Sequence, residues 1–215
     1  SAGADLKDMA GAHMRAMQVP VAKDGANDGV SDGVNAKGEA AADPIAEVNA
    51  AFGELCVAYA RTPLAVVAVL EGAVMGGGFG LACVADVAIA TETVQFRLPE
   101  TSLGVVPAQI APFLVERLGY SQAKRLAVTG GRLDASAALR IGLVHQQVAT
   151  EQLQAALDAV LADILACAPG ALAATKALMA KARFLAPSPL IDEAAAVFSR
   201  AAQGAEAVEG MGALL

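Results

Sequence analysis

Residues 71–90 read EGAVMGGGFGLACVADVAIA. Three consecutive glycines, Gly76, Gly77 and Gly78, separate an apolar run at 64–70 (LAVVAVL) from a short apolar stretch that reads as a helix to about Val84. A second apolar run, VAIAT at 87–91, follows. Short apolar, β-branched runs bounded by turn residues are the pattern of buried strands. The order strand, turn, helix, strand predicts an α/β core with crossover connections. Glycines at a strand–helix junction let the main chain approach a ligand closely and leave helix-start N–H groups facing it. They serve equally for a tight turn or for close helix–strand packing. The segment has neither the GK[ST] of a phosphate-binding loop nor the GxGxxG with a downstream acid of a dinucleotide site.

Working outward, residues 45–60 carry apolar side chains at helical spacing (Ile45, Val48, Phe52, Cys56), and Arg61-Thr62-Pro63 ends that helix. Residues 1–14 open in a glycine turn and continue as a short helix, DLKDMAGAHM. Residues 19–44 are rich in Gly, Asp and Asn without apolar periodicity, the composition of a long mobile surface loop. A lid over a site and a passive insertion both fit it. Downstream, 107–118 reads as a helix, Ser121 and Asp134 read as caps of helices that end at glycines, and 144–148 as a short strand. Ala/Leu-rich helices are expected at 151–167, 169–183 and 191–203, apolar enough for packing against other subunits. The expected division is a core at 1–148 and a helical region at 149–215.

The 215 residues can bury a sizeable core as one domain. Hydrophobic residues make up 56%, yet no uninterrupted apolar run reaches membrane-spanning length, so no membrane partner is expected. A net charge of −7 argues against general affinity for nucleic acid. Three scattered cysteines, Cys56, Cys83 and Cys167, fit buried free thiols of a reducing, cytoplasmic compartment. With two histidines and no CxxC, a metal site is not expected. The chain opens at SAGADLKDM with neither methionine nor a basic leader, which reads as a piece whose first part lies elsewhere.

Two further segments bear on chemistry. SAGAD, at 1–5, is a small-residue turn before a helix start. In FRLPETSLGVVP, at 96–107, Glu100 follows a proline among apolar residues. Desolvation raises the pKa of such a carboxyl and suits it to proton transfer near neutral pH. A solvated loop charge or a helix-start acid is the competing reading.

SAGADLKDM, EGAVMGGGFGLACVADVAIA, QFRLPETSLGVVP and GYSQAKRLAVTGGRLDASAALRIGLVHQQV stand in this order along the chain. Together they resemble the crotonase, or enoyl-CoA hydratase/isomerase, superfamily. The resemblance implies an α/β fold, a spiral of ββα units followed by a C-terminal helical trimerisation region. It also implies a coenzyme A thioester substrate, no separate cofactor, and a homotrimer or dimer of trimers. The strands that precede the AGAD segment in the family are absent before Ser1.

By the same resemblance, the N–H groups of Ala4 and Gly77 are the oxyanion donors. Two such donors stabilise the enolate formed at the thioester, and loss of one typically costs roughly 3–4 kcal/mol. Ala2 and Gly76 flank them, and Glu100 is the acid/base. Hydratases of the family usually carry a glutamate where this chain has Gly80, so two-glutamate hydration is not implied. Their PGGG-like segment is replaced by residues 107–112 (PAQIAP), which makes Gln109 a candidate wall group, with a solvated helix residue as the competing reading. Lys7 matches a basic position near the CoA phosphates, again beside a solvated alternative. Arg97 is a candidate partner for a substrate carboxylate. His145, Asp5 and Asp86 read as structural. The expected activity is hydration of an α,β-unsaturated acyl-CoA, with a one-glutamate double-bond isomerase and a non-catalytic acyl-CoA-binding or scaffold subunit as alternatives. The wording around the glycines and Glu100 is nearest to hydratase-like members acting on 3-methylglutaconyl- or isohexenylglutaconyl-CoA.

Overall fold

The computed structural model describes residues 43–213. The expectations for the AGAD turn, the first helix and most of the 19–44 loop lie outside these residues. The loop expectation is corrected at its end. Asp43 caps a helix, α1 (Pro44–Arg61), by accepting from the Ile45 and Ala46 amides, and Pro44 occupies the first turn, where its missing N–H has no cost.

Two small sheets follow. In the first, β1 (Val67–Leu70), β3 (Val87–Thr91) and β6 (Gln146–Val148) run parallel in that order. The expected strand at 64–70 is shorter because residues 64–66 serve as an approach. Asp86 accepts from the Val66 amide at 2.7 Å, and Lys176 donates to both Leu64 O and Asp86. In the second sheet, β4 (Gln95–Arg97) pairs parallel with β2 (Ala73–Met75) and antiparallel with β5 (Arg132–Asp134). Three-residue strands are too short to show an alternation, so the sequence did not mark this sheet.

The glycines open α2 (Gly77–Val84). Next come a 3₁₀ turn (Glu100–Leu103) and α3 (Ala111–Thr129). Two expected helices, at 107–118 and from Ser121, form one element broken at Gly119, whose φ of 70° interrupts the helical path. Residues 107–110 form a turn, and Ser121 makes no capping bond. Asp134 does cap α4 (Ala135–Arg140), accepting from the Ala137 amide at 2.7 Å. A second 3₁₀ turn (Thr150–Gln152) leads into four helices: α5 (Leu153–Leu165), α6 (Pro169–Ala182), α7 (Pro187–Ala202) and α8 (Ala205–Gly212). The last was not expected, and α7 begins four residues earlier than its pattern suggested. Glu206 of α8 accepts from the Gly170 and Ala171 amides, satisfying the otherwise uncapped start of α6.

The core joins α2, α3 and both sheets through Phe79, Phe96, Leu98, Leu114 and Leu126. Phe79 meets Phe96 edge-on, with centroids 5.8 Å apart. Cys56 and Cys83 are buried, and burial pushes the Cys83 thiol up to about 12. Cys167 is exposed, against expectation. No single described helix is long and apolar enough to cross a membrane.

At the far end of α2, Arg117 donates from Nε to Cys83 O at 3.1 Å and from Nη2 to Ala85 O. It also faces His145 Nε2, while the Ala88 amide donates to His145 Nδ1. Burial first, and the Arg117 charge second, hold His145 below its usual pKa, so the ring is a neutral strut between β3 and α3. Arg117→Met should strand two carbonyls and destabilise the fold by about 2–3 kcal/mol. A urea midpoint that falls at unchanged slope would bear this out, and an unaltered midpoint would count against it.

Candidate active site

An α-helix places residues three and four apart on one face. Gly77 and Gly80 therefore share a face of α2, with Gly76 at its entrance. At the start of α2 that face is bare, before Leu81 and Val84 continue it, and three other elements fill the space. Gly76 turns the chain at φ 51°, ψ −119°, a conformation that suits glycine, and its N–H donates to Arg97 O at 3.2 Å. A Cβ on Gly76 would stand 3.2 Å from Glu100 Oε1, one on Gly77 would stand 2.9 Å from Phe52 Cζ, and one on Gly80 would stand 2.2 Å from Ile110 Cγ2. A carboxylate, an aromatic ring and a branched aliphatic chain thus lie in sequence along bare backbone.

The first N–H groups of a helix have no intrahelical acceptor. In α2 no side chain caps them and no acid stands in the first turn. The Gly77 amide therefore belongs to a helix start that no side chain caps among the described residues.

Glu100 opens its 3₁₀ turn immediately after Pro99. Thr101 Oγ1 donates to Ala127 O at 2.8 Å, Ser102 Oγ donates to Pro99 O at 2.6 Å, and the Leu98 amide donates to Gly131 O at 3.0 Å. These bonds fix the turn against α3 and β5. Glu100 Oε2 is buried without a hydrogen-bond partner among the described residues. Burial raises the carboxyl pKa, and its own backbone amide partly offsets the shift. This is the setting in which a carboxyl exchanges protons nearer neutrality.

The structure brings together Gly76, Gly77, Gly80 and Glu100. Arg97 lies beside the turn, with Nη2 on Ser102 Oγ at 3.3 Å and a buried Nε that has no partner among the described residues. Gln109 donates to Asn49 Oδ1 at 3.0 Å and occupies the space over Gly53. It is thereby pinned to α1. Ala2, Ala4 and Lys7 lie outside the described residues. Sequence reasoning missed Phe52 and Ile110 as parts of the site. The signal for both was the pair of glycines one turn apart, which requires something large to fill the gap.

Two hollows exist elsewhere, of about 450 Å³ against β1 and about 800 Å³ between α6, α7 and α8. Neither is lined by Gly77 or Glu100. Among the described residues no group of three or more His, Cys, Asp or Glu is placed to hold a metal ion.

Residues 29–215 match the model of the enoyl-CoA hydratase/isomerase family. The fold resembles the crystal structure of an enoyl-CoA hydratase/isomerase from Marinobacter aquaeolei, with a TM-score of 0.82 and 44% identity over 99% of this chain and 74% of that one. It likewise resembles AtuE of Pseudomonas aeruginosa, with a TM-score of 0.83 and 45% identity over 98% and 72% of the two chains. An enoyl-CoA hydratase of Alternaria alternata is 35% identical over 122 residues, 56% of this chain. The match spans 41% of that relative's length.

Because folding holds the Glu100 carboxyl above its unfolded pKa, the fold favours the protonated form. The associated stability is fully present below the ordinary value of 4.5 and is lost as pH rises through the folded value. Glu100→Gln should therefore be more stable than the parent at pH 7, and that advantage should shrink as pH falls through the folded value and be gone by about pH 4.5. Melting curves of both proteins across this range check it, and a mutant less stable at neutral pH would contradict it.

Proposed function

The chain belongs to the enoyl-CoA hydratase/isomerase family, and from that membership we propose that it adds water to an α,β-unsaturated acyl thioester of coenzyme A. The observation that carries this reading is the half-buried Glu100 carboxylate, with Oε1 against Gly76 at the uncapped start of α2. In this mechanism the thioester oxygen accepts from the Gly77 amide and from that of Ala4. Such donors stabilise the enolate that develops there. Glu100 takes a proton from water as the oxygen adds to Cβ, then returns a proton to Cα. The relative from Alternaria alternata is named an enoyl-CoA hydratase, which favours water addition as the first reading.

A second reading, double-bond isomerisation, is favoured by one specific observation. Gly80 contributes no carboxylate, and Ile110 fills its place. Glu100 alone suffices to remove a proton at Cα and return it at Cγ.

Around this centre, Ala2 and Gly76 line the thioester, and Lys7 contacts the CoA phosphates. Arg97, with its unpartnered Nε, meets an anionic group of the substrate. The reading invokes no cofactor beyond the CoA of the thioester. Exposed Phe184, Ile191, Phe198 and Val208 on and beside the last helices support assembly into a homotrimer or a dimer of trimers. The buried thiols fit the cytoplasm.

Mass spectrometry of products from a panel of 2-enoyl- and 3-enoyl-CoA thioesters in ¹⁸O water tests the proposal. Incorporation of one labelled water, abolished in Glu100→Gln, is the expected result. A double-bond shift without mass change would transfer the assignment to the isomerase, and no turnover at all would overturn both. The acid limb of kcat/KM should fall above the ordinary carboxyl value, because the base must be ionised and burial raises its pKa.

A further inference from the structure

Position 80 is bare for a reason that lies in another element. Any side chain there would project beside Gly77, on the face that Glu100 shares. Its Cβ would meet Ile110 Cγ2 at 2.2 Å and Ile110 Cβ at 2.9 Å. Ile110 has little room to withdraw. It is 4% exposed within the core cluster, it is β-branched and hence stiff at χ1, and it immediately precedes α3. Its neighbour Gln109 is anchored to Asn49 and wedged over Gly53, where a Cβ would lie 2.2 Å from Gln109 Oε1. Two glycines on different helices thus accept two consecutive side chains of one turn.

We infer that Ile110 is a specificity-determining plug, matched to Gly80, which sets how the site divides an unsaturated acyl-CoA between water addition and double-bond migration. The inference rests on the acyl-CoA reading above. In water addition an O–H bond of water and the C2–C3 π bond break while C3–O and C2–H bonds form. In migration a C2–H bond breaks, a C4–H bond forms, and the double bond moves from C3–C4 to C2–C3, with no other reactant. Both need the Glu100 carboxylate. Only the first needs a water held in the site, and the methyl group of Ile110 keeps polar side chains and the water they would hold off the face at position 80. Proton transfer within the acyl chain is thereby favoured relative to what the same carboxylate would do in a wetter site.

The test uses the full chain with 3-enoyl- and 2-enoyl-CoA in ¹⁸O water, and reads the ratio of labelled hydrate to shifted double bond. Ile110→Ala should raise that ratio by about tenfold, the scale of effect of small changes in an apolar pocket. Ile110→Leu, which keeps the volume but removes Cγ2, guards against a fold lost to the cavity and should move the ratio in the same direction. In melting experiments Gly80→Ala should be strongly destabilising in the parent and only partly relieved beside Ile110→Leu, which removes Cγ2 but keeps the Cβ 2.9 Å away. An unchanged ratio in folded Ile110 variants, with the parent active, would overturn the plug and leave the acyl-CoA reading intact. A parent that forms neither product would overturn that reading, and the plug as a determinant of reaction with it.

Discussion

The absence of side chains from one face of the first turn of an eight-residue helix is the constraint on which the rest of the site depends. Phe52, Glu100 and Ile110 come from three separate elements, and each rests where a Cβ of α2 would otherwise stand. Interiors pack as densely as organic crystals, so a contact of this kind transmits any added atom to its neighbour. The position of α1 over Gly77, of the 3₁₀ turn over Gly76 and of residues 107–110 over Gly80 are therefore not independent facts. Backbone without side chains is the surface to which all three are fitted.

The same helix is electrically asymmetric by construction. GGFGLACV contains no polar or charged side chain, so it cannot cap either of its own ends. Its C-terminal carbonyls are satisfied by Arg117, held in turn beside His145. Desolvation lowers the pKa of that guanidinium, a cost offset by the carbonyls and dipole end it serves. No side chain caps the other end. The two termini are thus treated differently: a buried arginine serves one, and glycines without a side-chain cap among the described residues form the other.

Legibility followed element length and the range of the interaction. The helix at α1, the strand Val87–Thr91 and the Asp134 cap were readable because each signal is local: a 3.6-residue period, a β-branched run, a side chain three residues from its amide. The strands β2, β4 and β5 were not, since three residues cannot display a period and their stability comes from partners 22 to 39 residues away. In the site, Glu100 stood out by its apolar neighbours and Gly77 by its run of glycines. Phe52 read as one apolar position on a helix, and so did Ile110, within the helix expected at 107–118. What they fill is visible only when positions 77 and 80 are folded onto one face. Gln109 looked available because its amide partner, Asn49, lies sixty residues earlier.

Glu100 shows why such a site must be held from outside. Desolvation that raises its pKa also penalises the ionised form at neutral pH, so the carboxylate by itself favours opening the turn toward water. Thr101 on Ala127 O, Ser102 on Pro99 O and the Leu98 amide on Gly131 O oppose that opening, and all three tie the turn without contacting the carboxyl. The arrangement separates two tasks. Neighbouring hydroxyls and amides supply the geometry, and the carboxyl keeps an oxygen free of partners among the described residues. Were Oε2 bonded within the fold, its charge would be stabilised and its pKa would fall, at the expense of its proton affinity.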